Sequence, residues 1–259
     1  MDRRSFLTKS ALLMAGYFLN AGLFSVGHAS EELPGYLLSK PRIALIIDDI
    51  GNSLTQAHRF LRLNIPITFS VLPRLRYSYL LAKEIQKDGH DVMLHQPMEP
   101  YNAHLDPGPG ALYVGDEAMT IGRIIDDNVS DVPYAIGVNN HMGSRFTECT
   151  SEITDTLRII KEKELFFIDS LTSNHSKAYR TARRLNMTAA RRNVFLDNSR
   201  DESTIMLQLH RLKQCAREHG YAIGIGHPYG VTTRAIGDFI NRFDHSDISF
   251  VHISDILYS

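Results

Sequence analysis

Ile43-Ala44-Leu45-Ile46-Ile47-Asp48-Asp49 decides the reading of the fold. The apolar run is continuous rather than alternating, and it is short, which marks a strand covered on both faces. Two carboxylates stand directly at its end. Unneutralised, such a pair would repel and lose hydration, and a bound cation is the simplest resolution. The plainer alternative has one Asp capping a helix that begins near Leu54 while the other points to water.

Further β-like runs follow at Ile67–Leu72, Asp91–His95, Tyr134–Val138, Leu165–Ile168, Met187–Ala190, Tyr221–Ile225 and Ile248–Ile253. Helical runs lie between them. The clearest spans Ser203 to His219, with Ile205, Leu209, Leu212 and Ala216 at helical spacing, Asp201 to Ser203 placed to cap its start and Gly220 at its stop. Another begins near Thr150 or Ser151 and carries Ile153, Leu157 and Ile160 on one face. This alternation predicts an α/β domain over residues 41–259, an irregular (β/α) barrel of seven to eight parallel strands, with an open doubly wound sheet as the alternative. The stretch Glu99–Gly115, rich in proline and glycine, reads as a long irregular loop of the kind that is functional or mobile.

Several strand-like runs end in polar or ionisable residues: Asp48-Asp49, His95, Asn139-Asn140-His141, Asp169-Ser170 and His227. In parallel β/α architectures the loops after the strands gather on one face, so these residues are candidates for one pocket. His95 and Glu99 have an HxxxE spacing compatible with two ligands, although Pro97 between them argues against a regular helix. Asn139-Asn140-His141 beside Gly143 suits a crowded polar site and is equally ordinary turn chemistry. His227 lies between Gly226 and Pro228, where the backbone can approach a ligand, and a histidine so presented suits proton transfer.

The formal net charge of −1, with no basic run interleaved with aromatics, gives no field for a nucleic-acid backbone. No glycine-rich phosphate loop is present, which argues against a phosphoesterase. Residues 1–29 read as a signal peptide: Arg3-Arg4-Ser5-Phe6-Leu7 resembles a twin-arginine export signal, followed by an apolar stretch from Ala11 to Val26 and a small-residue exit at Ala29. That stretch is shorter than the roughly 20 residues a membrane span needs, so cleavage rather than a lasting anchor is expected, with a periplasmic or otherwise extracytoplasmic destination. Residues 30–40 read as a polar linker. Cys149 and Cys215 allow one disulfide but no framework, and neither has a CxxC partner for a thiolate metal site.

Six motifs in order give a specific resemblance: Ile46-Ile47-Asp48-Asp49-Ile50-Gly51, Phe69-Ser70-Val71-Leu72-Pro73, Leu94-His95-Gln96-Pro97-Met98-Glu99-Pro100, Gly137-Val138-Asn139-Asn140-His141-Met142-Gly143-Ser144, Phe167-Ile168-Asp169-Ser170 and Ile225-Gly226-His227-Pro228. From about Ile43 onward the chain resembles the divergent polysaccharide deacetylases, the YibQ-like branch of the NodB-homology carbohydrate esterases. The resemblance implies a metal-dependent hydrolase acting on the amide bonds of an N-acetylated envelope or extracellular polysaccharide. It implies Asp48 as general base, Asp49 as metal ligand and His227 as general acid, with Asp169 expected to orient His227.

The chain departs from the superfamily where a second metal-binding histidine would follow His95 by four residues. Glu99 stands there, and His141 is expected as the third ligand of a divalent ion beside Asp49 and His95, with Glu99 as the alternative; the chemistry of the donors suits zinc. The arginine-proline-tyrosine signature of the superfamily is replaced by the Asn-Asn-His-Met-Gly-Ser stretch. These departures keep open an alternative, a glycan-binding or envelope protein that retains the fold without turnover.

Overall fold

The computed structural model describes residues 40–242 and 247–258. The expected signal peptide and nearly all of the expected linker lie outside the described residues.

Among the described residues nine strands alternate with helices: β1 Arg42–Ile50, β2 Thr68–Val71, β3 Asp91–Met98, β4 Ala135–Met142, β5 Phe166–Asp169, β6 Ala189–Arg191, β7 Val194–Phe195, β8 Tyr221–Gly226 and β9 Ser249–Val251. The main helices are α1 Leu54–Leu61, α2 Ser78–Lys87, α3 Ala118–Asp131, α4 Thr150–Glu162, α5 Ala178–Arg184, α6 Glu202–His219, α7 Gly230–Asn241 and α8 Ile253–Leu257. Every strand pairing is parallel, in the order β6-β5-β4-β3-β2-β1-β8-β7. β9 is an accessory: Ser249–Val251 pairs Arg42–Ala44 of β1, while β2 pairs the later residues from Ile46 to Ile50.

The sheet curls into a barrel because one broken strand serves both of its edges. β6 pairs β5 and β7 pairs β8. At the break, the Arg192 N–H donates to Asp169 O on β5 and the Asn193 N–H donates to Ile223 O on β8. Consecutive residues thus bond to the two edges, which brings the seam together. This settles the choice between barrel and open sheet.

Two apolar layers explain why β1 reads as a continuous apolar run. Ile43, Leu45 and Ile47 face the helices, in a core shared with Phe60, Leu81, Leu157 and Leu212. Ala44 and Ile46 face the interior, with Met93, Phe166, Ile168, Ile223 and Ile225, and α8 plugs that interior with Ile253 and Ile256. α6 begins one residue before the expected start. Asp201 caps it by accepting from the Thr204 N–H, and Gly220 ends it at φ 83°.

The expected strand Ile248–Ile253 is shorter than predicted. It stops at Val251 because His252 caps α8, in a reciprocal arrangement with Asp255. The 99–115 loop is pinned: the Leu112 N–H donates to Pro97 O at 2.9 Å, and Gln96 and Asn128 both donate to Gly110 O at 2.8 Å. Cys149 and Cys215 are free thiols. Among the described residues no helix is long and apolar enough to cross a membrane.

Candidate metal centre and active site

The polar strand ends gather at the carboxyl-terminal mouth of the barrel. Neighbouring residues of a regular strand point to opposite faces, which would separate Asp48 from Asp49. Here Asp49 adopts the left-handed conformation (φ 57°), the pairing of β1 with β2 slips between Ile47 and Ile50, and Gly51 follows at φ 140°. This irregularity turns both carboxylates toward the mouth. Asp48 is buried and Asp49 partly exposed.

β3 and β4 run further than their apolar stretches predict, to Met98 and Met142, because their last residues remain paired with each other. Asn139-Asn140-His141 is therefore strand rather than turn. With a period of two, Asn139 and His141 share a side. His95 lies opposite Asn139 in register.

Asp49 Oδ1 lies 3.2 Å from His95 Nε2 and 2.9 Å from His141 Nδ1. The two imidazole nitrogens are 3.2 Å apart. Among the described residues these three form a group whose ligand atoms all lie within 4.8 Å of one another. Asp49 Oδ1 is buried and has no hydrogen-bond partner of proper geometry. His95 Nδ1 lies 2.7 Å from Asn139 Oδ1. Asn139 Nδ2 donates to Asp48 Oδ1 at 2.8 Å, so Asn139 Oδ1 is an acceptor, His95 Nδ1 carries the proton, and Nε2 of the neutral ring is bare.

Donors about 2.0–2.2 Å from a tetrahedral divalent ion stand about 3.3–3.6 Å apart. The observed triangle, with sides of 3.2, 2.9 and 3.2 Å, needs to open by only a few tenths of an ångström to reach that geometry. One carboxylate and two imidazoles, with an orphaned oxygen between them, fit a divalent cation.

Glu99 is not part of this group. Its Oε1 lies 2.5 Å from the Arg145 guanidinium and its Oε2 accepts from the Val114 N–H at 2.8 Å. The strand ends at Met98, so the spacing from His95 does not carry Glu99 into the mouth. Asp169 also differs from expectation. It accepts from the N–H groups of Leu171 and Tyr179 and from Ser176 Oγ, which ties down the loop before α5, and no contact joins it to His227.

Asp197 supplies the orienting contact instead. Its Oδ1 lies 2.9 Å from His227 Nδ1, and its Oδ2 accepts from the His227 N–H and from Thr232 Oγ, each at 2.7 Å. His227 Nε2 then faces the cluster, 3.8 Å from Asp49 Oδ2. The sequence signal for Asp197 was present: Val194-Phe195-Leu196-Asp197 is another apolar run ending in a carboxylate, but the run is too short to stand out as a strand.

The charges divide into distinct roles. Burial raises the Asp48 carboxyl above its usual range, against the opposing pull of His95 and His227. Asp49 is driven well below its usual range: its burial opposes ionisation, but the adjacent His141 and His95 imidazoles prevail. Burial works against a charged His227, yet Asp197, Asp48 and Asp49 together push it up to about 9. A carboxyl tuned upward and an imidazolium held at neutral pH suit a base and an acid.

A (β/α) barrel carrying an Asp/His/His cluster and a buried carboxylate at its mouth defines the polysaccharide-deacetylase class of fold. The chain belongs to the divergent polysaccharide deacetylase family, whose profile matches residues 45–257. It is 32% identical over 216 residues to the uncharacterized protein YibQ of Escherichia coli, covering 83% of this chain and 67% of that protein. The crystal structure of an uncharacterized protein from Agrobacterium tumefaciens matches with a TM-score of 0.79 at 24% identity, covering 84% of this chain and 89% of that one. At the level of fold alone, similarity extends to the catalytic domain of a peptidoglycan N-acetylglucosamine deacetylase from Eubacterium rectale (TM-score 0.53, 14% identity, 90% of this chain and 93% of that chain). It also extends to a CE4-family pseudoenzyme from Bacillus anthracis (TM-score 0.50, 15% identity, 85% and 66%).

Proposed function

We propose that the protein is a zinc-dependent hydrolase of carbon–nitrogen amide bonds that removes acetyl groups from an N-acetylated envelope or extracellular polysaccharide, after export by its twin-arginine-type signal. The observation that carries this reading is the convergence, at one mouth, of a buried carboxyl, an Asp/His/His triangle with an orphaned oxygen and a histidine oriented by Asp197. Membership of the family and the fold shared with a peptidoglycan deacetylase support the substrate class.

Asp49, His95 and His141 would hold the ion, which when bound supplies Lewis acidity toward an acyl oxygen and lowers the pKa of water. Asp48 takes the proton of the attacking water. Its buried setting raises the carboxyl above its usual range, which makes the carboxylate a stronger base. The water oxygen bonds to the acyl carbon, the C–N bond breaks, and His227 gives its Nε2 proton to the departing nitrogen. Acetate and a free amine result. Asp197 holds the His227 ring and stabilises its cationic form.

The test is acetate release from N-acetylglucosamine oligomers and from peptidoglycan, using protein purified without added metal and then loaded with zinc. Zinc-dependent release, abolished by chelation, is the expected outcome. If the zinc-loaded protein releases no acetate yet binds the oligomers, it is a glycan-binding protein that keeps the fold without turnover.

A further inference from the structure

We infer that Asn139 is the positioning residue that couples the general base to the metal cluster, a statement that rests on the catalytic reading of Asp48. Asn139 is completely buried on β4. Its Oδ1 accepts from Ser70 Oγ and from His95 Nδ1, and its Nδ2 donates to Asp48 Oδ1 at 2.8 Å and to Ser170 Oγ at 3.2 Å. An asparagine amide offers two lone pairs and two N–H groups, so every direction is filled. A flipped amide would set its oxygen against the Asp48 carboxylate and its NH2 against His95 Nδ1–H. Only one orientation is available.

That orientation serves two needs at once. His95 must keep Nε2 bare toward Asp49 and His141, which requires its proton on Nδ1 and an acceptor there. Asp48 must have one oxygen tied so that the other is free: with Oδ1 held by Asn139, Oδ2 faces the cluster, 3.6 Å from His95 Nε2. The neighbouring Asn140 gives the contrast. It is as buried, but it bonds to the Ser170 N–H, Met142 O and Thr172, joining β4 to the loop after β5 rather than touching the cluster.

Each half of the role has its own substitution. Asn139→Leu keeps the approximate volume and removes all four bonds. Asn139→Asp keeps an acceptor for His95 Nδ1–H while setting a second carboxylate against Asp48. Zinc affinity, measured by competition with a chromophoric chelator, should fall about 10–100-fold in Asn139→Leu, as is usual when the partner of a ligating histidine is lost. In Asn139→Asp it should stay within about tenfold of wild type, while acetate release falls by about 10²–10⁴, the contribution of a general base. Asn140→Ala should lower Tm and leave zinc affinity unchanged.

Wild-type zinc affinity in folded Asn139→Leu, or wild-type turnover in Asn139→Asp, overturns the inference. Should Asn139→Leu not fold, affinity in Asn139→Asp reduced as far as in His95→Ala overturns it equally. The zinc titrations need no substrate, so they decide whether Asn139 supports the metal cluster even if the wild-type protein releases no acetate.

Discussion

Replacing Asp197 with asparagine isolates the contribution of the acid. Three donors converge on this carboxylate: the His227 N–H and Thr232 Oγ on Oδ2, and His227 Nδ1 on Oδ1. An asparagine keeps the first two bonds only if its oxygen occupies the Oδ2 position. Its NH2 then faces His227 Nδ1, which must be bare to accept it, and the doubly protonated ring is excluded. Burial already works against the cation, so without Asp197 His227 should drop from about 9 toward the ordinary histidine value, held up only by Asp48 and Asp49. In the metal-free protein at pH 8 the protonated fraction would go from about nine-tenths to about 3% for a full return to the ordinary histidine value near 6.5, a loss of up to roughly 30-fold in competent acid.

Two assays follow the change. Proton NMR of the His227 ring in metal-free protein should show its midpoint moving from about 9 toward about 6.5. The alkaline limb of kcat/KM for acetate release should move to lower pH in the same direction, because activity is lost as pH rises through the folded-state pKa of the acid. A midpoint that stays near 9 in the variant, or activity at pH 8 within twofold of wild type, would refute the assignment of Asp197 and with it the His227 mechanism.

Asp48→Asn should retain zinc and fold, since the amide oxygen still accepts from Asn139, yet reduce turnover by about 10²–10⁴; near-normal rates would remove Asp48 as the base. His141→Ala should lose stoichiometric zinc in metal analysis, whereas Glu99→Ala should keep it, because Glu99 is engaged by Arg145 and the Val114 N–H; the reverse pattern would restore Glu99 as the ligand. Lysines in place of Arg3 and Arg4 should hold the precursor in the cytoplasm, and normal export of that double variant in cell fractionation would exclude the twin-arginine route.

Much of the fold was legible because its signals are local. The continuous apolar runs at β1, β3 and β8 and the capped amphipathic α6 come from residues that determine their own backbone state, and each has its predicted place. The polar residues after those runs were legible as one group because parallel β/α order sends every strand end to the same face. Asp48, Asp49, His95, His141 and His227 do meet there.

What the tertiary structure alone decided are the directions. The left-handed Asp49 aims two adjacent carboxylates the same way, and only the slipped β1–β2 pairing holds it so. The extension of β4 through His141 depends on its pairing with β3, and it converts a supposed turn into a two-residue alternation that sets Asn139 beneath His95. Glu99 and Asp169 are equally plausible by spacing, but Arg145 and the loop before α5 claim them. Asp197 was hidden because β7 is too short to show as a strand without β8 beside it, and the seam it helps close joins residues 30 apart in the chain. Each of these outcomes depends on partners distant in sequence, whose approach no local pattern encodes.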